Sequence, residues 1–454
     1  MTDQPNILLI HTDQHRFDCV GANGHPFLQT PHLDRLANEG MNFTHAFSPI
    51  PVCIPARNSL LYGQWPTEHL AIANWNTEAS RPATGEGKTL SACLGDVGYD
   101  LKHVGKWHIH PTQKPVDYGY GEDVPESDYG AWRAAQGFEA KPNTQGWFGE
   151  VDPHIPAEAS RLAWGADRVM DALERAKGPF FVHWETNEPH LPNVVPEPFA
   201  SMYRPEDCEP WAGFDDALVG KPYIQGQQRR TWGIEGWGWD RWAPIVARYL
   251  GEISLLDAQI GRVLAALDRL GLAENTLVIY TPDHGDMCGS HGMVDKHYVM
   301  YDDIVRVPLV MRWPGRFAAG VVSESFVSNA LDVATTICDA SGAGIPDTFR
   351  GVSLLGGDTG REDVLTMYHG NQFGLYSQRM VRNLRWKYVW NATAEDELYD
   401  LVNDGGEICN RAQDDGCVDV LAQLRQRLVA WMEEIKDPLL NHWNRDQLLG
   451  NRSV

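Results

Sequence analysis

The sequence predicts an α/β protein built on a large, mostly parallel sheet covered by helices, with a smaller α+β subdomain at its C-terminal end. Three observations carry this. Short β-branched apolar runs recur at residues 7–10, 180–184, 277–281 and 307–311, each reading as a strand buried on both faces. Helical patterns lie between them, and strands alternating with helices imply parallel pairing. From about Arg361 the texture changes to hairpin-like runs at 364–368, 380–384, 387–390 and 397–401, followed by a helical pattern over 418–435.

Taken in order, the run 7–10 is the first strand and ends before Asp13 and Gln14. Thr30-Pro31 then opens a helix, with a capping hydroxyl and a proline in the first turn, that runs to Gly40. Further helices are predicted over 90–97, before Gly98, and over 245–270, before Gly271. Residues 190–245 are rich in Gly, Pro and Trp and show little periodicity, which predicts a long functional loop or lid. The chain therefore divides into a main domain, 1–360, and an α+β subdomain, 361–454.

Composition limits the partners. The 454 residues are 43% apolar, enough for a large core, and carry a net charge of −23. Such a field repels polyanions, so nucleic acid is excluded as a partner and a small or monovalent anionic substrate is favoured over a long one. Eight cysteines lie scattered without paired spacing, which predicts reduced thiols rather than a disulfide framework. The first residues, 1–5, run straight into the strand pattern, and no apolar stretch approaches a membrane span. A cytoplasmic enzyme is the expectation; a homo-oligomer is compatible with the sequence.

Chemistry concentrates in five segments. Cys53-Ile54-Pro55-Ala56-Arg57 precedes a helical pattern ending at Gly63, which places a thiol at a helix N-terminus, where anions and activated nucleophiles are favoured. Asp13 and Asp283 each follow a buried strand, the position where α/β sheets hold ligands. Lys106, His108 and His110 follow Val104-Gly105 at alternate positions, which puts all three on one side if the segment is extended. The fifth segment is Glu188-Pro189-His190-Leu191-Pro192. Lys296, downstream of Asp283, completes the set. Taken singly, Cys53 reads as a small buried hydrophobe, Asp13 as a turn residue, and Lys106 as an edge-strand lysine.

Together, in this order, the segments resemble the sulfatase family within the alkaline phosphatase superfamily. The resemblance implies an alkaline-phosphatase-like fold and hydrolysis of a sulfate monoester to alcohol and inorganic sulfate. Cys53 would be oxidised to formylglycine (3-oxoalanine) by a formylglycine-generating enzyme, and Arg57 would orient the modified side chain. Asp13, Gln14, Asp283 and His284, with modified Cys53, would hold one divalent metal ion. The family's commonest version has a second Asp and an Asn where this chain has Gln14 and His284. The Asp-Gln and Asp-His pattern is similar to that of choline sulfatases and phosphonate monoester hydrolases. An imidazole ligand moves the preference from Ca²⁺ towards Mn²⁺, and both stay open.

By the same resemblance Lys106 contacts the sulfate, His108 assists the formylglycine hydrate, and His190 and Lys296 lie near the leaving oxygen. Asn74, spaced from His69 as in related enzymes, would stand beside the bound ester, and Glu397-Leu398-Tyr399-Asp400-Leu401 is similar to a C-terminal family segment. Ala56 departs from the family's usual serine. Hydrolysis of a phosphonate monoester or phosphodiester is the nearest alternative, and a catalytically dead binding module the more distant one. The tryptophans at 232, 237, 239 and 242 read either as packing or as the mouth of the pocket.

Overall fold

The computed structural model describes residues 4–74, 82–370 and 374–450. The reading that residues 1–5 carry no leader thus falls partly outside it. In chain order the strands are β1 (Asn6–Asp13), β2 (Met41–Phe47), β3 (Asp100–Gly105), β4 (Glu122–Pro125), β5 (Glu150–Asp152), β6 (Phe180–Pro189), β7 (Val194–Pro196), β8 (Thr276–Pro282), β9 (Arg306–Arg312), β10 (Val321–Ser328), β11 (Val364–His369), β12 (Ser377–Arg382), β13 (Trp386–Asn391) and β14 (Glu397–Asp400).

Eight of them form one sheet in the order β10-β2-β9-β8-β1-β6-β3-β4. The pairs β8–β1–β6–β3–β4 and β10–β2 are parallel, and β9 alone runs antiparallel, to both β2 and β8. All four apolar runs predicted as strands lie in this sheet, and the buried pattern of β1 and β8 covers both faces, as expected for a sheet sandwiched by helices. The strands β11 to β14 form a separate antiparallel sheet, and the helix Val418–Glu434 lays Leu421, Leu424, Leu428 and Met432 into its core. That core also includes Val52 and Ala56, so the second sheet braces the start of the helix that carries Cys53. All eight cysteines are free thiols. Among the described residues no helix is long and apolar enough to cross a membrane.

The expected irregular lid over 190–245 is corrected in part. It contains a helix, Tyr223–Trp232, and the long helix predicted from Ile245 starts earlier, spanning Trp239–Arg269. Pro244 hides that first turn from a pattern reading because proline ordinarily interrupts helical hydrogen bonding. The four tryptophans also separate. Trp242 is fully buried against Leu191, Ile234, Ile245 and Val294, and Trp239 donates its indole N–H to Cys208 O at 2.6 Å. Trp232 and Trp237 are half-buried, Trp237 lying 4.8 Å from the Phe148 ring and beneath the Arg241 guanidinium at 3.8 Å. Trp242→Ala should therefore cost about 3–5 kcal/mol of stability, the range for deleting a large buried aromatic; a denaturant midpoint equal to the parent's would contradict this packing role.

Candidate active site

The register of the central strands builds the site. Thr12 on β1 lies opposite Pro282 on β8, so Asp13 and Asp283 leave neighbouring parallel strands at the same level, beyond their carboxyl ends. The backbone N–H of Asp283 donates to Thr12 O at 3.1 Å, and that of Gln14 to Asp283 Oδ1 at 3.2 Å, which ties the two strand ends together. Cys53 is the first residue of the helix Cys53–Tyr62, all ten of whose residues are buried, and Gly63 ends it in the left-handed region at φ 61°. The thiol thus lies at a helix N-terminus, as the sequence predicts. Asn74 accepts the Ile54 N–H at 3.0 Å, capping one of the helix's unpaired donors, and its amide nitrogen is 4.0 Å from Cys53 Sγ.

Asp13, Cys53, Asp283 and His284 converge: one ligand atom from each lies within 4.8 Å of the others, all buried. Cys53 Sγ is 3.3 Å from His284 Nε2 and 3.8 Å from Asp13 Oδ1. His284 Nδ1 faces Gly285 O at 2.9 Å, which leaves Nε2 for the site. The set of two carboxylates, one imidazole and the Cys53 side chain suits a divalent ion with mixed oxygen and nitrogen preference. Gln14, at φ 68°, stands beside this group, but its amide donates to Asp286 Oδ2 at 2.6 Å and accepts from Lys296 Nζ at 3.0 Å, so both ends are engaged.

Cationic side chains surround the convergence. One turn along the helix from Cys53, the buried Arg57 places Nη2 3.0 Å from Asp13 Oδ2 and 3.1 Å from Asp283 Oδ2. It braces the two aspartates directly. Lys106 Nζ lies 2.6 Å from Asp13 Oδ2 and 3.1 Å from Asn187 Oδ1. Lys296 Nζ lies 2.8 Å from His190 Nε2 and 3.1 Å from Asp295 Oδ1. Burial and the Cys53 charge would raise the Asp13 pKa, but Lys106, His190 and Arg57 hold it well below the usual carboxylate range. Burial likewise would raise the Cys53 thiol; Lys296 and His284, with hydrogen bonds to His108 and His190, bring it well below the ordinary thiol value.

The condition that would put Lys106, His108 and His110 on one side, an extended segment, is not met. The strand β3 ends at Gly105, whose φ is 112°, and His108 sits at φ 42°. Gly105 is required there because a Cβ at that position would lie 1.9 Å from Glu185 O. The turn that follows delivers Lys106 and His108 to Cys53 while releasing His110, whose Nδ1 accepts the N–H of Thr112 at 3.2 Å and of Gln113 at 2.9 Å. His69 is likewise outside the site, its Nε2 3.0 Å from Ser59 Oγ.

Four side chains that sequence reasoning did not assign complete the arrangement: Glu185, Asn187, Asp286 and Asp295. Asp286 lies two residues beyond His284, and Asp295 precedes Lys296, so both were in view as neighbours of motif residues. Glu185 and Asn187 were missed because the strand pattern breaks after Trp184, whereas β6 continues to Pro189.

The family described as Sulfatase matches residues 5–343, and that described as N-sulphoglucosamine sulphohydrolase, C-terminal, matches residues 289–434. Similar proteins include an arylsulfatase of Clostridium perfringens, 28% identical with 95% of each chain covered. A choline-sulfatase of Rhizobium meliloti is 26% identical, covering 98% of this chain and 88% of that one. Among solved structures, the phosphonate monoester hydrolase of Agrobacterium radiobacter is similar with a TM-score of 0.84 at 27% identity, covering 95% of this chain and 96% of that one.

Proposed function

The chain belongs to the sulfatase family and is a sulfuric ester hydrolase, and from that premise we propose its nucleophile, its metal site and its substrate class. The nucleophile is the hydrate of a formylglycine made from Cys53. One divalent ion, Ca²⁺ or Mn²⁺, is held by Asp13, Asp283 and His284 with the modified Cys53, and Gln14 is a weaker candidate ligand. The substrate is a small sulfate monoester. The observation that carries this reading is the convergence of Asp13, Cys53, Asp283 and His284 inside a shell of Lys106, Lys296, His108 and His190. The division into a catalytic domain, 1–360, and an α+β subdomain, 361–454, belongs to the same proposal.

A sulfate ester presents a charged tetrahedral centre that repels a nucleophile, so its oxygens need fixed positive charge around them. Lys106, beside Asp13, and Lys296, beside Gln14 and His190, supply it. A divalent ion, when bound, adds charge stabilisation and favours ionisation of the attacking hydroxyl. Cys53, when modified, would supply the oxygen nucleophile that displaces the alcohol oxygen from sulfur. His190 and Lys296, whose Nζ donates to His190 Nε2 at 2.8 Å, are the candidates to stabilise or protonate the departing oxygen. His108 would be the base that takes the proton whose removal releases sulfate from the modified side chain. Arg57 orients the start of the helix throughout, and Asn74 faces the bound ester.

A second reading, hydrolysis of a phosphonate monoester or phosphodiester, is favoured by the Gln14 and His284 pattern and by the similarity to a phosphonate monoester hydrolase. A monoanionic phosphonate ester has the same charge and shape at its reacting centre. A panel of sulfate and phosphonate esters of one alcohol decides between them: kcat/KM should be higher for the sulfate, and the reverse order would install the second reading.

The alcohol half would be met by the half-buried Trp232 and Trp237, which pack with Leu191 and Val294, the neighbours of His190 and Lys296 in sequence. Trp237→Ala and Trp232→Ala should change the ratio of kcat/KM between aryl and alkyl sulfates by about tenfold, the worth of one stacking or cation–π contact. Unchanged ratios in both variants would move specificity elsewhere.

A further inference from the structure

Next to Arg57, on one face of the central sheet, lies a buried cluster that the proposed reaction does not use. In the parallel register His11 on β1 is opposite Glu185 on β6, and His103 on β3 is opposite His183 on β6. His183 and Glu185 are two residues apart in a strand and so share a face. Glu185 Oε1 is 3.0 Å from both His11 Nδ1 and His183 Nε2. Its Oε2 is 2.9 Å from Arg57 Nη1 and 3.8 Å from His103 Nε2. An outer ring holds the histidines in turn: the Tyr120 hydroxyl is 3.1 Å from His183 Nδ1, and Asp123 Oδ1 is 2.8 Å from His103 Nδ1.

All of this is built around one carboxylate. Arg57 gives Nη2 to Asp13 and Asp283, which leaves Nη1 facing Glu185. A buried guanidinium deprived of one of its anions is free to reorient, and a buried carboxylate is retained only where it is paired. Burial alone would raise the Glu185 pKa; the Arg57 charge, then His183, His103 and His11, hold it well below the usual range, so it is ionised. A divalent ion among His11, His183 and Glu185, whose ligand atoms lie within 4.8 Å of one another, is the competing reading. It is disfavoured because a second cation would stand beside the Arg57 guanidinium, itself 2.9 Å from the same carboxylate, away from water.

We propose that Glu185 is a positioning residue for the hydrolysis: through Arg57 it sets the orientation of Asp13, Asp283 and the nucleophile at Cys53, with His11, His103 and His183 fixing the carboxylate. The proposal rests on the reading of Cys53 and the two aspartates given above. A misplacement of the reacting groups by an ångström costs about 100-fold in rate, whereas Lys296 contacts Gln14, His190 and Asp295 rather than Arg57 or the two aspartates.

The test is Glu185→Gln, nearly the same in shape but uncharged, measured on the mature enzyme for kcat, KM, aldehyde content at Cys53 and bound metal. The expected result is a fall in kcat of about 30–100-fold with KM within about threefold, and with aldehyde and catalytic metal equal to the parent's. Glu185→Asp, which keeps the charge, should be faster than Glu185→Gln. A purely structural role would favour the better-fitting Gln. Should Glu185→Gln not fold, His183→Gln and His103→Gln take its place, each expected to lower kcat about 3–10-fold at constant KM. A kcat within about threefold of the parent's, Gln outperforming Asp, or loss of a second metal equivalent from Glu185→Gln would each overturn the proposal. Parent enzyme that turns over without an aldehyde would instead sink the reading of Cys53, and leaves the kcat comparison to judge Glu185.

Discussion

Cys53→Ala should abolish turnover, lowering kcat by about 10⁴-fold or more while leaving the fold intact, because it removes the proposed nucleophile. The side chain lost is small and fully buried. Its cavity should cost about 1–2 kcal/mol, too little to unfold a chain of this size. Folding is checked by the denaturant midpoint and by retained binding of inorganic sulfate, which on the proposed reading rests on Lys106, Lys296 and the histidines. The parent peptide spanning Cys53 should carry an aldehyde by mass spectrometry, and aldehyde content should scale with activity across preparations. Sulfate hydrolysis by Cys53→Ala at more than a hundredth of the parent's rate would remove Cys53 from the chemistry.

The reach of the sequence followed the strength of each local signal. β1 and β8 were legible because both faces are buried, which writes a continuous apolar run, and Asp13 and Asp283 stand out as the first charges after such runs. β2 and β10 carry polar residues between their apolar ones, and β10 lies at the sheet edge, so neither gives a continuous run. The turn after Gly105 was illegible for a different reason. Alternation of Lys106, His108 and His110 looks like a strand, but β3 ends at Gly105, whose φ of 112° and lack of room for a Cβ beside the Glu185 carbonyl are visible only in the fold. Glu185 itself could not be read as a partner of Arg57: 128 positions separate them in the numbering, and the parallel register that joins β6 to β1 is a property of the whole sheet. Motif residues were therefore found by spacing, and the groups that hold them in place needed the fold.

Asp13→Ala should lose the catalytic metal and lower kcat/KM by about 10³-fold or more. Asp13 sits at the centre of the charge balance: its Oδ2 lies 3.0 Å from Arg57 and 2.6 Å from Lys106, and its Oδ1 3.8 Å from Cys53 Sγ. Removing it takes away one proposed ligand of the ion and also leaves two buried cations with one anion fewer, which costs about 3–5 kcal/mol. The two effects can be separated. Asp13→Asn retains an oxygen acceptor of the same reach, so it should fold more stably than Asp13→Ala yet still bind metal far more weakly, because a neutral amide replaces a carboxylate. Gln14→Ala provides the contrast. Both ends of the Gln14 amide are occupied by Asp286 and Lys296, so its loss should weaken metal binding by less than about tenfold and act mainly by releasing Lys296. Equilibrium dialysis against Ca²⁺ and Mn²⁺, followed by metal analysis of each variant, reads all three directly. His284 predicts that Mn²⁺ binds more tightly than Ca²⁺ in the parent and that His284→Asn narrows the difference. Tight binding of one ion per chain in Asp13→Ala would show that the aspartate pairs only with Arg57 and Lys106, and that the ion is held elsewhere.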